Sequence, residues 1–205
     1  MLSPETESGP FAEEIVGSIS IVRFSRPSQR NTLSTETLNA LDPTLDRLKT
    51  SQSVRAVIFT GTADAFASGA DISELARLDP SQALEFSRRG QRLTGAIANL
   101  PQMTIAAING FCMGGGLDFA LACDIRIASS SAVFAHPGSK LGIITGWGGT
   151  QRLPRLIGKS KAIELFSTAR RFSSDEALKA GLITEIADPV LEAAIAIANK
   201  SISTS

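Results

Sequence analysis

Short apolar runs separated by polar, glycine-bearing breaks organise this chain. Val54–Phe59 and Thr104–Ile108 are near-continuous apolar runs, and Ile125–Ala128 is a shorter one. Runs of this length bounded by turns predict buried strands, and these three are expected to be neighbours. Glu13–Phe24 alternates around Gly17-Ser18 and predicts a hairpin. Helical spacing takes over elsewhere. Leu38, Leu41, Leu45 and Leu48 form a stripe behind Ser34, a plausible N-cap, and Pro43 inside that stripe is expected to kink or split the helix. Leu84, Leu93, Ile97 and Leu100 mark the inward face of a helix over Pro80–Leu100. Further helices are expected over Leu117–Ala122, Gly148–Ile157 and Lys159–Ala169. Ser173-Ser174-Asp175-Glu176 reads as a capping box for a helix that Gly181 ends. Asp188–Lys200 is a last amphipathic helix. Strands alternating with helices give an α/β class. No fixed-period repeat and no clear linker interrupts the chain, so residues 1–11 read as a flexible arm, 12–187 as one core domain and 188–205 as a shortened C-terminal helix.

The candidate chemistry lies where an apolar strand meets Asn109-Gly110-Phe111-Cys112-Met113-Gly114-Gly115-Gly116-Leu117-Asp118. Glycines admit close approach of a ligand to the backbone. The first N–H groups of a helix are unpaired and sit at the positive end of its dipole. Together they suit an oxygen that becomes negative during a reaction. Three glycines alone would equally serve tight helix–strand packing. A second loop of the same character, Phe66-Ala67-Ser68-Gly69-Ala70-Asp71-Ile72, also follows a buried-looking strand and leads into a helix pattern. Two loops can each offer one backbone donor, the minimum for a two-point oxyanion hole.

These segments, with Ser25–Leu33, Val54–Gly61, Pro101–Asp124, Leu141–Ile144, Gly148–Arg155 and Glu176–Leu182, resemble the crotonase superfamily, the enoyl-CoA hydratase/isomerase family. The resemblance runs from about Ile15 to about Ile186. It implies a right-handed spiral of ββα repeats with surrounding helices, the C-terminal helical segment being truncated. It implies a coenzyme A thioester as substrate, fatty-acid-type metabolism, and no metal or redox cofactor. The thioester oxygen would be held by the N–H groups of Ala70 and Gly115. Asp118 takes the position of the family's first catalytic glutamate. It is shorter by one methylene, about 1.5 Å of reach. It lies three residues after Gly115, on the same helix face. A helix-capping aspartate that only complements the dipole is the alternative reading.

The resemblance puts the second catalytic glutamate of hydratases at Gly138, which cannot move a proton. His136, the only histidine, lies two residues away and could serve as a base or simply fill a pocket wall. Ser28, Arg30, Ser68, Asp71, Ile72, Phe111, Gly114 and Pro137 match positions that line the coenzyme A groove or the acyl wall, and Met113 adjoins them. Trp147 stands where a small residue is common and Thr145 where proline is common. A tryptophan there narrows the acyl pocket or packs in the core. Asp124 is expected to satisfy backbone donors. Cys112 reads as a small core residue. The reaction could be hydration, isomerisation or another superfamily reaction on a thioester (decarboxylation, dehalogenation, hydrolysis), or the chain could be a non-catalytic acyl-CoA-binding or oligomerisation member. The resemblance implies a homotrimer or hexamer.

Charge narrows the partners. Twenty basic and twenty acidic residues cancel, which argues against nucleic acid or an anionic membrane as the main partner. A local patch of Arg23, Arg26 and Arg30 could still meet one phosphorylated ligand. The longest apolar stretch, Met103–Ala128, is broken by glycines and charges and is no membrane span. Two cysteines cannot make a disulfide framework. Met1–Glu14 lacks the features of a secretory or mitochondrial leader, so a cytoplasmic location is expected.

Overall fold

The computed structural model describes residues 9–203. The elements are β1 (Phe11–Val16), β2 (Ile19–Phe24), α1 (Thr35–Thr50), β3 (Ala56–Thr60), β4 (Ala65–Ala67), α2 (Ile72–Leu75) and α3 (Pro80–Ala98). Then come β5 (Met103–Ile108), β6 (Phe111–Met113), α4 (Gly115–Ala122), β7 (Ile125–Ala128) and β8 (Val133–Ala135). The chain continues through α5 (Gly149–Ile157), α6 (Lys159–Thr168), β9 (Phe172–Ser173), α7 (Ser174–Lys179), β10 (Glu185–Ile186) and α8 (Val190–Ser203).

The strands form two sheets. Six make the order β1-β2-β3-β5-β7-β10, parallel except for the β1–β2 hairpin. Four make the order β4-β6-β8-β9, the first three parallel. The winding is regular: β3 then β4, β5 then β6, β7 then β8, each pair placing one strand in each sheet before the chain turns helical. This is the ββα spiral, and the three strands expected to be neighbours pair directly as β3, β5 and β7.

Burial explains the near-continuous apolar runs. Along β3, Val57 and Phe59 face the large core shared with α1, α3 and α4, whereas Ala56 and Ile58 face a second core closed by Val190, Ala194 and Ala198 of α8. Both faces of the strand are covered, so alternation is lost. Phe119 of α4 meets Phe24, Phe59 and Phe66 edge-on at centroid distances of 5.4, 4.9 and 6.3 Å. Each such pair is worth about 0.5–1.5 kcal/mol beyond burial. The cluster fixes the rotation of the helix that carries Asp118.

Four expectations are corrected. Phe11 belongs to β1, pairs with Phe24 and packs on the core, so the arm does not extend through residue 11; residues 1–8 lie outside the described residues. Pro43 does not split α1, which runs unbroken over 16 residues. Both Pro43 and Asn39, whose carbonyl loses its partner, are exposed, so water can satisfy it. Leu84 is 53% exposed, because the first turns of α3 overhang the core; only Leu93 and Ile97 of the expected stripe are fully buried. Ser34 does cap α1, accepting from the Thr37 N–H, and Ser173 caps α7. The capping box at α7 is only half formed, because Glu176 turns away to Arg170 and Lys161.

Candidate active site

The parallel strands β4, β6 and β8 end side by side at Ala67, Met113 and Ala135. The loops leaving them therefore converge, as they do at the carboxyl ends of strands in open α/β sheets. Ser68–Ala70 comes from the first, Gly114-Gly115 from the second and His136-Pro137 from the third. The first loop is tied down on its other side by β2's trailing segment: the Ser68 N–H donates to the Arg30 carbonyl at 3.0 Å, and the Leu33 N–H to the Gly69 carbonyl at 2.8 Å.

Glycine is obligatory where the loops touch. Gly69 has φ +94°, and a Cβ there would lie 2.7 Å from the Met113 carbonyl oxygen and 2.8 Å from the Gly115 nitrogen. A Cβ at Gly116 would lie 2.2 Å from the Ala67 carbonyl oxygen. This contact brings the Ala70 nitrogen to 3.4 Å from the point where a Gly115 Cβ would project. Neither the Ala70 nor the Gly115 N–H has an acceptor among the described residues. Gly115 opens α4, where the N–H has no intrahelical partner by construction.

Asp118 is completely buried one turn further on. Its Oδ2 accepts from Thr145 Oγ1, and its Oδ1 has no hydrogen-bond partner among the described residues. Burial raises its pKa to about 6, against the opposing pull of the Thr145 hydroxyl, the Trp147 and Gly149 backbone N–H groups and the Arg152 charge. His136 is 3% exposed, and its Nε2 stands 3.4 Å from Asp118 Oδ1. The two atoms are in contact but outside hydrogen-bond alignment, and both are otherwise unpartnered. Burial pushes the imidazole down to about 4, so at neutral pH it is uncharged and the contact is no ion pair. The ring also stacks at a tilt on Phe166, 4.9 Å away. His136 is thus both a wall and a direct neighbour of the carboxyl.

Gly138 lies in the short 3-10 turn Pro137–Leu141. A Cβ there would meet the Ile143 carbonyl oxygen at 2.7 Å, so no side chain enters without moving the loop. Pro137 touches Gly114, with its Cδ 3.8 Å from the Cβ direction. Asp71 caps α2, accepting from the Ser73 N–H at 2.8 Å and the Ser73 hydroxyl at 2.7 Å, and these bonds lower its pKa. Its carboxylate shapes the turn after Ala70. Ser28 and Ile72 are exposed, and Ser68 and Phe111 are half-buried. Arg30 and Arg171 both lie over the Phe111 ring, at 5.2 and 5.7 Å. The suggested Arg23–Arg26–Arg30 patch does not form as a unit, since Arg26 is paired to Glu36 at 2.5 Å. Asp124 accepts from the Thr104 N–H at 2.8 Å, as expected, and Cys112 is buried with its thiol pushed well up.

Two residues were not assigned to the site from the sequence. Thr145 supplies the hydroxyl to Asp118, and a polar residue where proline is common was the one available signal. Gly149 packs so close that a Cβ there would lie 2.0 Å from Asp118 Oδ1. Trp147, between them, is 3% exposed.

Residues 14–205 match the sequence profile of the enoyl-CoA hydratase/isomerase family, and the chain belongs to that family. Within it, the chain is 40% identical over 190 residues to the short-chain-enoyl-CoA hydratase of Clostridium acetobutylicum, covering 91% of this chain and 73% of that protein. It is 38% identical to the crotonyl-CoA hydratase of Syntrophomonas wolfei, covering 83% of this chain but 66% of that one. The crystal structure of enoyl-CoA hydratase from Bacillus anthracis superposes with a TM-score of 0.90 at 38% identity, over 93% of this chain and 76% of that one. The crotonase fold follows from these matches. The chain spans about two thirds to three quarters of the length of these relatives. Among the described residues, no helix is long and apolar enough to cross a membrane.

Proposed function

We propose that this chain binds a coenzyme A thioester with its carbonyl oxygen between the Ala70 and Gly115 N–H groups, and that Asp118 moves a proton at the carbon skeleton beside it. The observation that carries this reading is the pair of acceptor-free amides one helical turn from a buried carboxyl. Loss of a proton next to a thioester leaves its electron pair on the oxygen as an enolate. Fixed donors stabilise that charge by about 3 kcal/mol each. Asp118, with its pKa raised to about 6, is largely ionised at pH 7 yet basic enough to accept the proton and return it at another carbon. Similarity to hydratases of short and crotonyl thioesters supports the substrate class.

Hydration also needs water oriented by a second group, and Gly138 offers none. The favoured reaction is therefore proton transfer, exchange or double-bond migration, with weak crotonyl-CoA hydration. A second reading draws on the 3.4 Å approach of His136 Nε2 to Asp118 Oδ1: the imidazole would hold the water that the carboxylate activates. The test is mass spectrometry of butyryl- and crotonyl-CoA after incubation with the protein in D2O. Deuterium entry at the α-carbon that Asp118→Asn abolishes is the expected result. Hydration that survives Asp118→Asn, or no exchange with any thioester, overturns the assignment. The trimeric association and lack of a cofactor expected from the family, and the cytoplasmic location expected from the sequence, are part of the same proposal.

A further inference from the structure

Ser87, Gln91 and Thr94 follow one another at helical spacing on α3 and share one face of it. All three side chains reach the same loop. The Ser87 hydroxyl donates to the Gly146 carbonyl at 3.1 Å, and Gln91 Nε2 donates to it at 2.8 Å. The Thr94 hydroxyl donates to the next carbonyl, that of Trp147, at 2.8 Å. Arg152 of α5 closes the clamp. Its Nη1 lies 3.2 Å from both the Trp147 carbonyl and Thr94 Oγ1, and its Nη2 donates to the Thr94 carbonyl at 3.3 Å. The guanidinium fits because Gly148, at φ +100°, has no side chain; a Cβ there would lie 2.2 Å from Nη1. Gly90, on the same face of α3, leaves a notch for the Trp147 indole, where a Cβ would lie 2.0 Å from Cδ1.

The consequence falls on the other side of the loop. A trans peptide is planar, with its N–H pointing opposite to its C=O. A Gly146 carbonyl held on α3 therefore turns the Trp147 N–H away from α3, toward Asp118. Both ends of the loop touch that carboxyl: Thr145 donates its hydroxyl to Oδ2, and a Cβ on Gly149 would lie 2.0 Å from Oδ1. The Trp147 and Gly149 N–H groups act on the same carboxyl and favour its ionised form. None of the three α3 side chains hydrogen-bonds Asp118 directly, so they act through the loop. We propose that Ser87, Gln91 and Thr94, with Arg152, are positioning residues that grip two loop carbonyls and so keep the Thr145 hydroxyl and the loop N–H groups aimed at Asp118. This rests on the reading that Asp118 moves the proton.

The titratable or charged groups acting on Asp118 are His136 after β8, the Cys112 thiol of β6 and Arg152 of α5. Burial pushes His136 down to about 4 and the Cys112 thiol well up, so neither changes charge where Asp118 titrates, at about 6. The test is carbon-13 NMR of the Asp118 carboxyl across pH on the full chain without substrate, the signal being the one lost in Asp118→Asn. Its midpoint should rise by about half a pH unit or more in the double variant Ser87→Ala, Gln91→Ala and in Thr94→Val, because donors that favour the ionised form lose their aim. Thr94→Ser keeps the hydroxyl and should leave the midpoint unmoved. Deuterium exchange into butyryl-CoA should fall by about tenfold or more in the double variant. If Thr94→Val does not fold, as judged by circular dichroism, the double variant carries the test, since Gln91 is exposed and Ser87 only half-buried. A merely structural clamp would lower unfolding stability and leave the midpoint alone. An unmoved midpoint in folded variants thus overturns the positioning role and leaves the Asp118 reading standing. Absence of exchange in the unmodified protein overturns the Asp118 reading, and the positioning role with it.

Discussion

The two sides of the site are built of different material. On one side, Ala70 and Gly115 contribute main-chain N–H groups, fixed by the ends of β4 and β6 and by glycines that admit no side chain. On the other, the His136–Gly148 segment is more exposed in its middle, with Ile143 49% and Ile144 67% exposed, though His136 and Trp147 are buried. This second side contributes side chains, Thr145 and His136, to a carboxyl on α4. Donors made of backbone do not depend on which side chain they carry, so long as Gly69 and Gly116, where the loops touch, stay glycine. Acid–base groups made of side chains can be exchanged one at a time. That contrast fits a chain in which the two proposed backbone donors stand beside Asp118 and Gly138, the positions where the resemblance expects glutamates.

The comparison can be broken most directly at Asp118. Asp118→Asn keeps the shape and the backbone donors but cannot take up a proton. Exchange at the substrate α-carbon should fall by about 10²–10⁴-fold, with thioester affinity within a few-fold of the original by calorimetry. Loss of binding together with exchange would show that the two halves are not separable. Gly149→Ala is next. Its Cβ would lie 2.0 Å from Asp118 Oδ1 and must displace the carboxyl. A misplacement of about 1 Å costs on the order of 10²-fold in rate, read in the same exchange assay.

Stability should reveal the pair through pH. His136 has a folded pKa of about 4, below the ordinary 6.5, so it costs stability as pH falls from 6.5 to 4. Asp118 has a folded pKa of about 6, above 3.8, so it adds stability as pH falls from 6 to 3.8. The slopes oppose each other, and the unmodified protein should show little net dependence from this pair between pH 4 and 6. Asp118→Asn removes one arm. Its urea-unfolding free energy should then drop by about 2–3 kcal/mol between pH 6.5 and 4, relative to the unmodified protein. A flat difference across that range would mean that burial does not hold the Asp118 carboxyl above its ordinary range.

Two smaller effects sharpen the contrast. His136→Ala should slow exchange by about tenfold or less, milder than Asp118→Asn, if the imidazole only contacts the carboxyl. A loss as large as that of Asp118→Asn would favour the water-orienting reading. Gly138→Glu, the substitution that restores the family's second carboxylate on paper, should leave crotonyl-CoA hydration essentially where it was. The Ile143 carbonyl stands 2.7 Å from the required Cβ, so a gain in hydration would show that the exposed loop yields.

Much of the fold was legible because it depends on local pattern. The apolar runs, the Gly17-Ser18 hairpin and the Ser34 and Ser173 caps each follow from residues within a few positions of one another. The glycine loops were legible for the same reason. Leu84 was misread because helical spacing identifies a face but not where the core beneath it ends. Pro43 was misread because the cost of a missing N–H depends on whether water reaches the orphaned carbonyl. The contacts of Gly149 and Gly90 could not be read at all, and that of Thr145 only as an unusual residue type. Each is defined by a partner far along the chain, and spacing carries no record of that.

The notch at Gly90 ties one position's history to another's. A methyl group at residue 90 would fall 2.0 Å from the indole of Trp147, so alanine at 90 and this placement of the indole exclude each other in this backbone. Relatives with any side chain at the position of Gly90 should carry something smaller than tryptophan at the position of Trp147, and the two columns should vary together.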